Sequence, residues 1–241
     1  MTGLRALYTL VIAAAALPAP ARGQAATSKP AFAVRIEASD LLLLGAGTAG
    51  AAALISHDPA VARWLRRPSL QQNTVLHWTM TGARLFGDPG AILMGTGLWA
   101  GGALTRDQTA SNDGLRALEA VATASVVTWA VKGSGGRARP DVDSTNASDW
   151  QFGRGFRAGG QYQSFPSGHT AAAFAFASAI SGRLADRWPA DARWAGPLLY
   201  GVAALTGVSR VYHHAHWMSD ALVGAAIGTV SGLVIVRSHG R

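Results

Sequence analysis

The sequence predicts an all-α protein, a bundle of about six core helices. Three observations carry this. Apolar segments of helical composition, each roughly fifteen residues long, recur along the chain. Polar stretches containing glycine or proline separate them. No segment alternates polar and apolar residues over a useful length, so strands are not expected.

The elements follow in order. The chain opens "MTGLRALYTLVIAAAALPAPARGQA", with Arg5 before an apolar run and prolines and small residues after it. That layout is a secretory signal at residues 1–23, with Gly23 or Ala25 ending the cleaved piece. An uncleaved anchor is the alternative, although the run is short for a span. Residues 24–38 read as a linker, and 39–241 as one helical domain with a motif-bearing core at 113–236. Its helices are expected at Leu41–Ile55, Ala91–Leu104, Leu115–Val131, His169–Leu184, Ala195–Val208 and Asp220–Val236. A less apolar segment, Asn73–Phe86, adds a further candidate.

Most of these segments fall short of the roughly 20 apolar residues that a span requires. Leu115–Val131 also contains Glu119, which is costly in lipid. Only Asp220–Val236 approaches a span. Its Gly224, Gly228 and Gly232 form a small-residue ribbon that admits another helix at close range. The reading favours an exported bundle, periplasmic or membrane-associated, and leaves integral insertion open.

Composition bounds the chemistry. With no cysteine, disulfides, thiolate nucleophiles and cysteine-based zinc sites are excluded. The net charge of +8 is carried almost wholly by arginine. No basic run is interleaved with aromatics, so nucleic acid is not an expected partner. The charge fits recognition of small anions by a few placed arginines.

Three segments carry candidate chemistry. "KGSGGRARP", Lys132 to Pro140, ends an apolar helix and offers Lys132, Arg137 and Arg139 as a cationic cradle for a phosphate. "SFPSGHT", Ser164 to Thr170, precedes another helix, with Ser167 as N-cap and His169 in the first turn. Free N–H groups at such a terminus bind anions. "SRVYHHAHWMSD", Ser209 to Asp220, supplies Arg210, three histidines and an aspartate. On a helix His216 and Asp220 share a face, so Asp220 would fix the imidazole tautomer and leave the other nitrogen as nucleophile. Arg210 can meet His216 at one ligand only if the chain breaks near 211–215. His213 and His214 lack such an acid. Zinc on His213, His216 and Asp220 is a rival, but the spacing is not that of a zinc hydrolase.

Lys132-x6-Arg139-Pro140, Pro166-Ser167-Gly168-His169 and Ser209-Arg210-x5-His216-x3-Asp220 together resemble the three-part signature of the type 2 phosphatidic acid phosphatase (PAP2) and vanadium haloperoxidase superfamily. The resemblance implies a bundle whose loops gather these residues into an active site at one end. It implies phosphate binding by Lys132, Arg139, Ser167, Gly168 and Arg210. It makes His216 the nucleophile, Asp220 its orienter and His169 the acid for the leaving group. No metal or cofactor is implied, and vanadate is expected to inhibit as a phosphate mimic. The expected activity is hydrolysis of phosphomonoesters or pyrophosphates, with lipids such as phosphatidate, isoprenoid pyrophosphate or lipid A favoured as substrates. A soluble broad-specificity acid phosphatase is the alternative. A vanadate-dependent haloperoxidase or a non-catalytic protein of the same fold is less favoured. The aromatic-containing stretch 141–164 is a candidate lid over an apolar group.

Sequencing the purified protein from its N-terminus checks the processing expectation. The mature chain should begin at Gln24 or Ala26; an intact Met1 would leave the first segment as an anchor.

Overall fold

A computed structural model describes residues 33–239. The signal expectation and most of the linker lie outside the described residues. All regular structure among them is helical. The elements are α1 (Ala38–Leu54), α2 (Asp58–Leu65), α3 (Pro68–Gln71), α4 (Thr74–Leu85), α5 (Ala91–Thr105), α6 (Gln108–Gly135), α7 (Arg154–Arg157), α8 (Gly168–Arg187), α9 (Pro189–Tyr212) and α10 (Met218–Ser238). Every helix expected from the sequence is present, and α6 and α9 extend well past their apolar stretches. The short α2 was missed, although Pro59 at its start is a helix-initiation signal.

The core is built from small residues. Ala117, Ala120, Ala124, Ala171, Ala175 and Ala179 are almost wholly buried with Val121, Phe176, Val223 and Ile227. Alanine lets helix axes approach, and the glycine ribbon of α10 takes this further. A methyl group on Gly224 would lie 2.5 Å from the Ser167 carbonyl, one on Gly228 would lie 2.2 Å from that of Ala171, and one on Gly232 would lie 2.5 Å from Ser178 Cβ. The partner of the ribbon is therefore α8, and the contact begins at the α8 N-terminus. Between α4 and α5 a kinked segment, Phe86–Gly90, lies against the same place. A methyl group on Gly87 would lie 2.5 Å from the His169 carbonyl.

Two helices, α6 and α10, are long and apolar enough to cross a membrane. The bent pair α1–α2, with 76° between its arms, would make a third if it is one broken span. This extends the sequence reading, in which only the α10 segment approached a span. Glu119, the charge that argued against α6, meets His239 Nε2 at 2.5 Å. Large apolar side chains stand exposed around the bundle, among them Leu42 (73%), Trp78 (67%) and Leu104 (85%).

The ribbon yields a stability prediction. Gly228→Val forces a side chain into the α8 backbone and should cost about 1–3 kcal/mol or more. Gly45 on α1 has open space around its missing side chain, so Gly45→Ala should change stability by less than about 1 kcal/mol, in the stabilising direction. Thermal melting of both variants in one detergent compares them.

Candidate active site

Lys132 sits in the last turn of α6, which Gly136 ends in a left-handed conformation (φ 59°). A side chain there would collide with the Gln151 carbonyl. Glycine thus turns the chain into the 137–140 strip. Lys132 Nζ donates to the carbonyls of Gln163 (2.7 Å) and Ser164 (3.4 Å), which leaves one ammonium proton beyond these bonds. Its Cε is 3.6 Å from the methyl position of Gly168, so the first and second segments meet there.

Ser167 caps α8 as expected, with Oγ accepting from the Thr170 N–H and hydroxyl. Its own N–H donates to the Asp220 carbonyl at 2.9 Å, which joins the second and third segments. His169 is in the first turn, half-buried.

The third segment departs from its helical reading. α9 ends at Tyr212, residues 213–217 form an irregular turn, and α10 begins at Met218. His214 takes a left-handed conformation (φ 59°) within the turn. The break that Arg210 required is therefore present. His216 precedes α10 and does not share a helical face with Asp220, yet its Nδ1 lies 3.5 Å from Asp220 Oδ2. Asp220 is the third residue of α10, and its Oδ2 accepts from the Trp217 N–H at 2.8 Å. The aspartate thus caps the helix start and meets the histidine just before it. His213 instead packs edge-on against His77 and Tyr212. Among the described residues no three His, Asp or Glu side chains form a metal-ligand group, so His213, His216 and Asp220 do not converge as zinc ligands would.

Arg137 corrects the cradle reading. It is wholly buried and points away from the anion site, bonded to Asp220 Oδ1 at 2.5 Å and to Asp58 Oδ2 at 2.9 Å. Its Nε and Nη2 also donate to the Ala147 carbonyl at 2.9 and 2.7 Å, and the indoles of Trp150 and Trp217 flank it.

Lys132, Arg139 and Arg210 act on one another, with Asp220, Asp141 and Asp88 as the opposing charges. Burial pushes the Arg210 guanidinium down to about 10, with Arg139 and Arg84 adding repulsion. Burial also lowers Arg139. His169 falls far below the usual imidazole range through burial and the charges of Arg210, His216, Lys132 and Arg84. His216 is drawn down to about 3, by burial first and Lys132 second, against the pull of Asp220. Nε of Arg139 and Nε of Arg210 are buried without a hydrogen-bond partner. Such a cluster can bind one compact anion with several oxygens, beside a neutral imidazole. Arg84 and Asp88, from the kinked edge of the N-terminal half, also act on Arg210. Only folding brings them here, because no motif marks them.

The stretch 141–164 is anchored as a surface loop. Arg154 bonds Asp149 and the Gly136 carbonyl, and Gln163 bonds the Gly155 carbonyl. Phe152 and Phe156 are exposed. A shallow apolar groove of about 390 Å³ opens between this loop and the end of α6, lined by Ala130, Val131, Ser134, Gly135, Trp150, Phe152 and Phe165.

The fold and site define a helical bundle with a cluster of cations and histidines at the ends of its central helices. The PAP2 superfamily model matches residues 113–241, more than half of the chain, and the chain belongs to that superfamily. A lipid A 1-phosphatase of Porphyromonas gingivalis is 42% identical over 87 residues, which are 36% of this chain and 19% of that protein. The match thus spans about a fifth of that relative's length. The crystal structure of a transmembrane PAP2-type phosphatidylglycerolphosphate phosphatase from Bacillus subtilis aligns with TM-score 0.60 and 24% identity, over 82% of this chain and 92% of that one. LpxE of Aquifex aeolicus aligns with TM-score 0.48 and 21% identity, over 83% and 96%.

Replacing Arg137 tests the buried network. Arg137→Leu leaves Asp58 and Asp220 without their shared cation and should cost about 3–5 kcal/mol, a large part of a typical fold's stability. Arg157→Leu, on the exposed loop surface, should fall within about 0.5 kcal/mol of the native protein. Folded yield and melting midpoint distinguish the two.

Proposed function

We propose that this protein is a membrane-associated phosphatase that hydrolyses phosphomonoesters or pyrophosphates of lipids through a phosphohistidine, without a metal. The observation that carries the reading is the grouping of Lys132 and Arg139 about a His216 backed by Asp220, with Arg210 acting on Lys132 and on His169. Superfamily membership and the partial similarity to a lipid A 1-phosphatase support the reaction class. The exposed apolar side chains and spanning-length helices support a lipid substrate.

In this mechanism Lys132, Arg139 and Arg210 bind the phosphate oxygens with Ser167 and the Gly168 backbone. Asp220 faces Nδ1 of His216 at 3.5 Å and favours the Nδ1–H tautomer, which leaves Nε2 free to attack. The N–P bond forms as the ester P–O bond breaks, and the departing oxygen takes a proton from His169. Water then attacks phosphorus and gives its proton back to His169. The N–P bond breaks, orthophosphate leaves, and both histidines return to their starting states. The proton on His169 depends on the substrate. Burial first, and the surrounding cations after it, hold its pKa low; a bound phosphate dianion opposes the cations and raises it. Substrate binding thus shifts His169 toward its acid form.

His169→Ala should therefore lose about 10² to 10⁴ in rate on an alkyl phosphate, and far less on p-nitrophenyl phosphate, whose leaving group needs no proton. His216→Ala should be inactive on both, while His213→Ala and His214→Ala retain most activity. For the native enzyme, kcat on the alkyl phosphate should fall as pH rises through the raised His169 pKa, with a shallower fall on p-nitrophenyl phosphate. Vanadate should inhibit, and chelators should not. Loss of activity on chelation with recovery on adding zinc would overturn the metal-free reading. Equal loss by His169→Ala on both substrates, with phosphoenzyme formation limiting, would assign His169 to binding.

A further inference from the structure

Asp58 opens α2, in the half of the chain that carries no motif, yet it is buried beneath the catalytic end of the bundle. Its side-chain hydrogen bonds all go to two residues. Oδ1 accepts from the Ser219 N–H at 3.0 Å, and Oδ2 accepts from the Ser219 hydroxyl and from Arg137 Nη2 at 2.9 Å. Ser219 is the chain neighbour of Asp220, and its hydroxyl also receives Arg137 Nη1 at 2.8 Å. Arg137 Nη1 in turn donates to Asp220 Oδ1 at 2.5 Å. Ser164 Oγ donates to Asp220 Oδ2 at 2.5 Å. Arg137 and Ser164 thus hold the two oxygens of Asp220, and Asp58 holds Arg137 and Ser219.

We infer that Asp58 is a positioning residue: through Arg137 and Ser219 it fixes the orientation and charge of Asp220, and so the tautomer of His216. The catalytic part of this inference rests on the phosphohistidine reading above. Asp58, Arg137 and Asp220 together carry one net negative charge behind His216, whose other charged neighbours are Lys132 and Arg139. That negative charge stabilises the cationic phosphohistidine formed on attack. With Asp58 neutralised, Arg137 is left to Asp220 alone, the net charge behind His216 is zero, and Asp220 is a poorer acceptor for Nδ1–H. The side-chain hydrogen bonds of Asp58 go to Arg137 and Ser219 and to none of the proposed phosphate-binding residues, so substrate binding should be little changed.

The test uses the full chain with Asp58→Asn, which keeps the shape while removing the charge and one of the two acceptor oxygens. Two readouts are taken: kcat with the inhibition constant of orthophosphate, and the ¹⁵N spectrum of labelled histidines, with the His216 signal identified by its loss in His216→Ala. In the native protein His216 should be a single tautomer with Nδ1 protonated. In Asp58→Asn kcat should fall about 10- to 100-fold, the size typical of groups that orient a ligand from behind. Orthophosphate inhibition should stay within about twofold, as expected for a residue that makes no ground-state contact, and the His216 signal should move toward a tautomer mixture. Asp58→Glu should recover part of the rate. If Asp58→Asn does not fold, Ser219→Ala takes its place, with a smaller kcat loss and the same change in tautomer. An unchanged His216 signal in the folded variant overturns the inference, whatever happens to the rate. So does a rate loss matched by weakened orthophosphate inhibition, which would mark general loosening. If the native protein hydrolyses no phosphate ester, the proposed function fails, and the His216 spectrum still decides the role of Asp58.

Discussion

The constraint on which the site depends is the buried ion pair of Arg137 with Asp58 and Asp220. Taking three charges out of water costs several kcal/mol per ion and is recovered only if each is paired and hydrogen-bonded. Arg137 is shared by two carboxylates, accepted by a carbonyl and flanked by two indoles, so its charge is fully engaged. That engagement binds three chain segments together: α2, the strip after α6, and the start of α10. The strip must pass here for Arg137 to reach both acids. Arg139, two residues on, acts instead on Arg210 and Lys132.

The second constraint is steric. Close contact along the α10 ribbon fixes α8 at the height where the Ser167 N–H reaches the Asp220 carbonyl. His169 and His216 therefore enter the site from two helices that cannot slide independently. Above this rigid floor sits a group of cations that repel one another. In the free protein this arrangement is unfavourable, and it persists because the surrounding packing over-determines it. A phosphate would relieve repulsion that the fold already bears, so the site is organised before it binds.

Much of this was legible in the chain, for identifiable reasons. The helices showed because apolar runs with glycine and proline punctuation need no tertiary context. The three motifs showed because their residues are contiguous and chemically unusual. What stayed hidden depended on direction and distance. Arg137 and Arg139 look alike in a glycine-rich strip, and only folding separates the one locked between two carboxylates from the one whose Nε has no hydrogen-bond partner. His216 and Asp220 suggested a shared helical face, whereas they meet across a helix start. The spacing indicated their contact correctly for the wrong geometric reason. Asp58, Arg84 and Asp88 gave no signal, because their partners lie more than seventy positions away in sequence.

The outer surface follows from the same use of small residues inside. A bundle whose core is alanine and glycine leaves many of its large apolar side chains to point outward, and Leu41, Leu93, Trp129 and Leu198 do so. In water that surface would be a liability. Against lipid it is a matched boundary. α6, at 28 residues, is about 42 Å long, and α10, at 21 residues, is about 31 Å; a hydrocarbon core is about 30 Å thick. Lys132 and Gly136 close α6 at one end, and His216 and Asp220 open α10 at that same end. The cationic site thus lies where the apolar helices stop. There a lipid headgroup phosphate can reach charged side chains while its chains stay beside the apolar wall.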